Sequence, residues 1–257
     1  MAEPDDLLSR VEDAGLNASA PPQQRWLDGW ILRFSPGQAK RARCVNAVAL
    51  GRTGVDIKFQ RASRAYAEAG LPLIFRVTPF SLPADLDAEL ERLGCTAFDD
   101  TRVMVQASLP PPAPLALPAG CVWAPLAGRA YAEALGALRG STPIEIRAHA
   151  ERLALSPVPY RGLAIRRAAD GELLACAQFA READLVGLYD VHTRIEHRGR
   201  GLGRLLCRRL LAEAAREGAR SGYLQVDGGN EAARRIYRHL GFDDAYAYHY
   251  RQAPNTG

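Results

Sequence analysis

The sequence predicts a mixed α/β fold, a sheet with helices on both faces. In the second half of the chain, segments with the pattern of strands alternate with segments of helical period. One of these strands, ending near residue 193, leads into an Arg- and Gly-rich turn from which a helix starts at once. The first half repeats part of that order more faintly, with a strand at 73–77, a helix at 84–93 and a strand at 102–106.

A proline-rich segment separates the two halves. Residues 109–118 read Leu-Pro-Pro-Pro-Ala-Pro-Leu-Ala-Leu-Pro, and proline can neither continue a helix nor donate a hydrogen bond within a central strand. We therefore predict a domain boundary here. Residues 1–108 form a first domain (the first half), 109–118 a linker, and 119–257 a second domain (the second half).

Earlier in the first half, the pattern predicts paired strands at 26–34 and 41–50 around Ser35-Pro36-Gly37, then a helix at 55–69. We expect Trp26 and Trp30 in the core and Arg33 at the surface, because this is where such residues usually lie. The alternative is that this face lines a substrate pocket.

The elements of the second half are predicted in one continuous order. They are a strand at 121–126, helices at 128–139 and 142–155, strands at 162–168, 172–181 and 184–193, a helix at 201–217, a strand at 222–226, a helix at 230–239 and strands within 242–251.

The turn before the helix at 201–217 has the composition of a phosphate-binding loop. Glycines at 199, 201 and 203 let backbone N–H groups approach an anion, and the helix adds free amides and the positive end of its dipole. The flanking arginines are Arg198, Arg200 and Arg204. The spacing excludes a Walker A loop, which requires Lys-Ser/Thr after its last glycine, and fits a dinucleotide fingerprint poorly, because Arg204 stands at its third glycine position.

Two signatures in the second half resemble those of the GNAT N-acetyltransferase superfamily. Arg198, Gly201 and Gly203 satisfy Arg/Gln-x-x-Gly-x-Gly/Ala, and the residues from Asn230 to Phe242 follow the order N-x-x-A-x-x-x-Y-x-x-L-G-F. The segment Gly29-Trp30-Ile31-Leu32-Arg33 resembles the opening of two-part bacterial GNAT proteins. The resemblance implies the GNAT acyl-CoA N-acyltransferase fold in a tandem arrangement, with a degenerate first half that has no cofactor loop. Asp56, in the first turn of the helix at 55–69, would repel a phosphate there.

The resemblance also implies acetyl-CoA as acyl donor and no metal. It places the cofactor against the end of the strand at 184–193, the glycine-rich loop and the helix at 230–239. The implied contact residues are Val191, His192, Thr193, Arg198, Gly199, Arg200, Gly201, Leu202, Gly203, Arg204, Asn230, Ala233 and Tyr237. Ile195 departs from the family, since related loops usually carry proline at that position.

Three side chains are candidates for the chemistry. Tyr237 matches the general acid that would protonate the leaving thiolate. The general base is Asp190 or His192, unless an ordered water serves. Both alternate with Tyr189 and Val191 along the strand, so that only one pair faces the acceptor unless a bulge intervenes.

These residues predict an N-acetyltransferase that acts on a primary amine of a small molecule or on an exposed amino group. The alternative is an acyl-CoA-binding regulatory module without turnover, which would have no need of Tyr237. Net charge of +4 over 257 residues is too diffuse to indicate nucleic acid. No apolar run is long enough for a membrane span and the start is acidic, so we expect a cytoplasmic protein with free cysteine thiols.

Overall fold

The computed structural model describes residues 4–254 of the chain. The helices within them are α1 (Pro4–Ala18), α2 (Val55–Glu68), α3 (Leu86–Arg92), α4 (Gly128–Arg139), α5 (Pro143–Ala154), α6 (Leu202–Arg216) and α7 (Glu231–His239). The strands are β1 (Gln23–Leu27), β2 (Trp30–Phe34), β3 (Val45–Ala47), β4 (Ile74–Val77), β5 (Thr96–Gln106), β6 (Cys121–Leu126), β7 (Tyr160–Arg167), β8 (Leu173–Glu182), β9 (Leu185–Thr193), β10 (Ser221–Asp227) and β11 (Asp243–Gln252). Short 3-10 helices span Lys40–Ala42 and Ile195–His197.

All of these strands lie in one sheet. Their spatial order is β1-β2-β3-β4-β11-β5-β10-β9-β8-β7-β6. Two neighbouring pairs are parallel, β3 with β4 and β9 with β10, and the other pairs are antiparallel. In each half a helix connects the parallel pair, α2 in the first and α6 in the second, because parallel neighbours need a crossover connection.

The two halves exchange their final strands. β5, the last strand of the first half, lies between β10 and β11, and β11, the last strand of the second half, lies between β4 and β5. The longest single stretch of pairing joins β5 and β11, from Asp243 opposite Val105 to Gln252 opposite Thr96. The sheet therefore runs without a break from one half to the other.

Helices cover both faces of the sheet, which confirms the predicted fold class. α6 and α7 share one apolar cluster with the core of β8, and Tyr237 belongs to it. α4 and α5 pack on the opposite face through Tyr131 and Leu153. α1 lies beside them, since the carbonyl of Ala18 accepts a hydrogen bond from Arg152 of α5.

The elements of the second half lie within two residues of their predicted bounds, whereas the start of the chain differs from prediction. α1 was not predicted. The predicted strand at 26–34 is instead a hairpin of β1 and β2 that turns at Asp28 and Gly29. Both residues have positive φ, 44° and 87°, as the commonest two-residue hairpin turn requires.

Two expectations about this region are wrong. Trp26 is 66 % exposed, while Trp30 is fully buried, because the turn at Asp28-Gly29 points the two rings in different directions. Arg33 is only 2 % exposed. Its guanidinium donates to the carbonyl oxygens of Leu16 and Arg41 and to Gln24, and these acceptors replace the water that a buried cation loses.

Candidate active site

The loop before α6 (residues 198–204, the phosphate loop) presents unpaired backbone amides. Gly199 and Gly201 have φ of 76° and 74°, a left-handed conformation that glycine adopts without strain. Within residues 4–254, the N–H groups from Gly199 to Arg204 donate to no protein acceptor, and Leu205 N is the first to do so, to Gly201 O at 3.0 Å. A Cβ added at Gly199 or Gly201 would meet nothing within 4 Å. The loop is therefore an open cradle of donors.

The charge around this cradle is positive. Arg198, Arg200 and Arg204 are exposed, and the first turn of α6 contains no acidic residue. Arg198 Nε donates to Thr193 O at 3.3 Å, which ties the loop to the end of β9. Free amides, a helix N-terminus and three cations are features that favour an anion such as a pyrophosphate.

Beside the loop, the two parallel strands separate. β9 and β10 pair only from Leu185 opposite Ser221 to Leu188 opposite Leu224. Beyond this point β9 continues along β8 as far as Thr193, and β10 continues along β5. The gap between them opens toward the phosphate loop. Val191 and Thr193 border it, since a Cβ at Gly203 would lie 3.7 and 3.5 Å from their side chains.

α7 supplies the predicted residues on the other side of the gap. Asn230 caps the helix, because its Oδ1 accepts from Ala233 N at 3.1 Å. Tyr237 is 9 % exposed and packs edge-on against Phe242. Burial raises the pKa of the Tyr237 phenol, and the nearby Cys207 adds to the rise. The hydroxyl is therefore protonated at neutral pH.

A β-bulge interrupts β9 at the residues predicted to act as bases. The β8–β9 register shifts between Cys176 opposite His192 and Gln178 opposite Tyr189, and Asp190 has φ of 53°. This is the bulge that the sequence analysis left open, and simple alternation does not hold here. Tyr189 and Asp190, although consecutive, both lie on the face that carries α4 and α5, because an extra residue in one strand breaks the period of two.

Asp190 is held as a carboxylate. Gln178 Nε2 donates to its Oδ2 at 2.7 Å, and Arg139 of α4 donates to its Oδ1 at 3.1 Å. Burial raises the pKa of this carboxyl, but Arg139, His149 and Arg152 outweigh burial and lower it to about 2. A group this acidic is a weak proton acceptor, yet it stabilises a cation beside it.

His192, the other predicted base, lies further along β9. Burial lowers the pKa of its imidazole, and the charges of Arg139 and Arg198 lower it further. It is therefore neutral at physiological pH. It does not line the cleft that Asp190 faces.

Asp190 opens into a cleft of about 50 Å³ between the two halves, the acceptor-side cleft. One wall comes from α4 and α5, and the opposite wall from the first-half segment 35–42. His149 of α5 lies in this cleft, with its Nε2 at 3.5 Å from Asp190 Oδ2. This pairing could not be predicted from the sequence, because the two residues lie 41 positions apart and no motif links them.

A second groove of about 440 Å³ adjoins the phosphate loop at Arg204. The Pro-rich segment 110–115 forms one wall, and Arg208 and His239 are on the other.

Within residues 4–254 no cluster of His, Cys, Asp and Glu could hold a metal ion. None of the helices described there is long and apolar enough to cross a membrane.

A glycine-rich anion cradle at a helix start, beside parallel strands that separate, is the architecture of a GNAT acetyltransferase. A family model described as "Probable histone acetyltransferase Rv0428c C-terminal" matches residues 8–251. The chain belongs to this family.

Solved structures share the fold at low sequence identity. The chain is similar to a GCN5-related N-acetyltransferase from Kribbella flavida, with a TM-score of 0.68 and 21% identity over 96% of this chain and 95% of the other. A tandem GNAT protein from the clavulanic acid biosynthesis pathway matches with a TM-score of 0.64 and 15% identity, over 83% and 76% of the two chains. A putative GNAT acetyltransferase from Novosphingobium aromaticivorans matches with a TM-score of 0.57 and 20% identity, over 93% and 96%. No curated protein matches the chain in sequence.

Proposed function

We propose that this acetyltransferase moves the acetyl group of acetyl-CoA directly to a primary amine, on a small molecule or an exposed amino group. The observation that carries the proposal is the set of unpaired backbone amides from Gly199 to Arg204. There is open space beside Gly199 and Gly201, and the same loop contains three exposed arginines. The first amides of a helix have no partner within the helix, and together with the helix dipole they favour an anion. A pyrophosphate is an anion of suitable size and charge to satisfy them.

The residues beside the loop fit the rest of such a donor. The gap between β9 and β10 leads from the phosphate loop past Val191 and Thr193 toward Asp190. Backbone N–H groups of β9 on the β10 side have no strand partner beyond Leu188, so they can donate to a thioester oxygen. Arg208, in the groove next to Arg204, offers positive charge to a further phosphate.

The proposed reaction forms one bond and breaks another. The amine nitrogen attacks the thioester carbon, the C–N bond forms, and the C–S bond breaks with the electron pair leaving on sulfur. Tyr237 then gives its phenolic proton to the thiolate and regains one from solvent. The proton lost by the amine goes to a base on the acceptor side.

The first half is proposed to hold no second donor site. Its counterpart of the phosphate loop precedes α2, and there the carboxylate of Asp28 accepts from the N–H groups of Arg52 and Thr53 and from the Thr53 hydroxyl, at 2.6–2.9 Å. These hydrogen bonds lower the pKa of Asp28 to about 2. An internal anion thus satisfies the donors that an external one binds in the second half.

The alternative is a CoA-binding regulatory module without turnover. The presence of Tyr237 on α7 favours catalysis, since binding alone does not need a proton donor. Calorimetric titration with acetyl-CoA should return one site per chain. Release of free thiol should follow when a panel of primary amines is added, namely spermidine, glucosamine, tryptamine and a lysine-bearing histone-tail peptide. The peptide is included because the family description names a histone acetyltransferase.

Binding of acetyl-CoA without thiol release from any amine in the panel would favour the regulatory module. Failure to bind acetyl-CoA, or binding of two molecules per chain, would contradict the proposed site itself.

A further inference from the structure

His149 carries a ring nitrogen with no partner. Its Nε2 is buried and makes no hydrogen bond, although the side chain lines the acceptor-side cleft and is 16 % exposed. The nearest acidic atom is Asp190 Oδ2 at 3.5 Å, beyond the usual length of a hydrogen bond. The edge of the ring packs against Tyr131 of α4, which fixes its orientation. Buried polar atoms without partners are rare, and this one belongs to a side chain that lines a cavity.

Charged groups face His149 from three elements. Asp190 approaches from β9, Arg139 from α4, and Arg152 lies on α5 itself, while Glu145 of α5 lines the same cleft. Burial lowers the pKa of the imidazole, Asp190 raises it, and the two arginines lower it again, with the result at about 4. The ring is therefore neutral at physiological pH, so one nitrogen has a free lone pair.

We propose that His149 Nε2 and Asp190 Oδ2 together bind the amino group of the acceptor, and that His149 takes its proton as it attacks. A lone pair and a carboxylate oxygen 3.5 Å apart form a site for an N–H donor. An ammonium group placed between them would satisfy both atoms at once, which no protein donor within residues 4–254 does for Nε2. This inference rests on the proposed function and names the base that the reaction requires.

The proton balance follows from the two groups. The acceptor ammonium loses two protons in all. The first N–H bond breaks before the attack, its electron pair remains on nitrogen, and the proton moves to His149 Nε2. The second N–H bond breaks as the C–S bond does, after the first proton has passed on, and its proton takes the same route. The resulting imidazolium lies beside the Asp190 carboxylate, which Gln178 and Arg139 hold in place. A fixed carboxylate next to a histidine stabilises the cation that forms on the ring without being protonated itself. The proton then passes to solvent.

The position of the pair suits the transfer. Asp190 belongs to the bulge of β9, and the residue after it, Val191, borders the gap on the opposite face, toward the phosphate loop. An acceptor in the cleft and a donor in the gap would therefore approach the same point of β9 from the two faces of the sheet.

The test compares His149→Gln with the unmodified chain, using the amine panel above. Gln keeps a polar side chain but its amide cannot take a proton near neutral pH. With an active amine, kcat should fall about 10²- to 10⁴-fold, and the affinity for acetyl-CoA measured by calorimetry should not change. The matched control is His249→Gln. The His249 ring lies 2.8 Å from the carboxylate of Asp87 and does not line the cleft, so this variant should keep full activity.

The pH profile separates a base from a structural residue. With His149 present, kcat/KM should be flat between about pH 5 and the pKa of the amine, because a neutral base and an ammonium react together. In His149→Gln the amine must lose its proton in solution first, so kcat/KM should rise about tenfold per pH unit over the same range. In His149→Ala, added imidazole should restore part of the rate.

Several outcomes would overturn the inference. A variant with unchanged turnover, or with a lower turnover and an unchanged profile, leaves His149 without a role in proton transfer. An unmodified chain that binds acetyl-CoA but transfers to no amine overturns the proposed function, and the role of His149 with it. Loss of acetyl-CoA binding in both His149 variants would show that the residue supports the fold rather than the reaction.

Discussion

At the scale of single residues, Asp190 decides how the candidate site is arranged. Its φ of 53° is unusual for a residue other than glycine. The bulge that this conformation belongs to brings Asp190 to His149 and leaves Val191 facing the phosphate loop. Strained backbone of this kind persists only where its surroundings fix it, and here Gln178 and Arg139 do so.

Tyr237→Phe tests the general acid at this scale. The change removes the proton donor but keeps the ring that packs on Phe242, so turnover should fall by about 10²- to 10⁴-fold with little change in acetyl-CoA affinity. Thiol release and calorimetry measure the two quantities. Tyr223→Phe is the control, since its hydroxyl pairs with Tyr189 in the apolar cluster that includes α1. Full turnover in Tyr237→Phe, with chemistry rate-limiting, would assign the tyrosine to positioning alone.

The residues of the phosphate loop and α7 could be predicted from the sequence because glycine, asparagine and tyrosine occur there at fixed spacing. His149 could not, since its importance depends on a contact across the sheet with Asp190. The burial of Arg33 could not be predicted from the sequence either. Nothing local to an arginine in a strand shows that three acceptors from other segments will surround it.

At the scale of elements, the phosphate loop and α6 act as a unit, and Gly201→Glu tests that unit. The substitution strains a left-handed residue and places a carboxylate at a helix start where the pyrophosphate would bind. Calorimetry should detect no binding of acetyl-CoA. Gly171→Glu is a matched control, because Gly171 also has φ of 74° and open space around it but lies in the β7–β8 turn. Equal affinity in both variants would contradict the assignment of the loop.

α1 is fixed to the sheet by a buried ion pair that Glu12→Ala would break. Arg76 of β4 pairs with both carboxylate oxygens of Glu12, and Tyr246 donates to the same carboxylate at 2.6 Å. Removing one partner leaves a buried, unpaired cation, which costs about 3–5 kcal/mol, and urea unfolding should show this loss. Arg10→Ala is the control on the same helix. Its pair with Asp184 is about one-third exposed, so less than about 1 kcal/mol is expected.

The same pair sets an acid limit on stability. Burial raises the pKa of Glu12, but the charge and hydrogen bonds of Arg76 outweigh it, so the pKa is lowered. A carboxyl with a lowered pKa contributes stability that is complete above its ordinary value of 4.5 and is lost as the pH falls through the lowered one. Urea midpoints between pH 3 and 6 should therefore converge for Glu12→Ala and the unmodified chain at the acid end. A constant difference would exclude this source of acid sensitivity.

Elements were predicted best where pattern and turn signals agreed, as between residues 121 and 252. α1 was missed although its apolar residues recur at helical spacing, at Leu7, Val11, Ala14 and Ala18. The turn at Asp28-Gly29 was missed as well, because the apolar run around Trp30 reads as one long strand and the Asp-Gly signal lies within it.

At the scale of the whole molecule, the exchanged strands join the halves more tightly than the Pro-rich segment does. We predict that a protease site inserted between Ala113 and Pro114 can be cut without separating the halves, since β5 remains between β10 and β11. Gel filtration of the cut protein should give the elution volume of the intact chain. Residues 119–257 produced alone should aggregate, because β10 and β11 then lack the strand that lies between them. Two separate, soluble monomers after cleavage would contradict this prediction.

The sequence could indicate a repeat between the halves but not the exchange of their last strands. The pairing partners of a strand depend on which edges are free when the chain collapses, and local pattern does not encode this.

The exchange of final strands also determines when each half can complete its strand pairing during synthesis. β4 and β5 are complete once residue 106 has left the ribosome, yet β11, the strand that lies between them, ends at residue 252. At translation rates of about 5–20 residues per second, the first half waits on the order of 10 s with one edge of β4 and both edges of β5 unpaired. A nascent chain in that interval is a substrate for chaperones, and ribosome-bound chains stalled before residue 243 should be more sensitive to protease than the released protein.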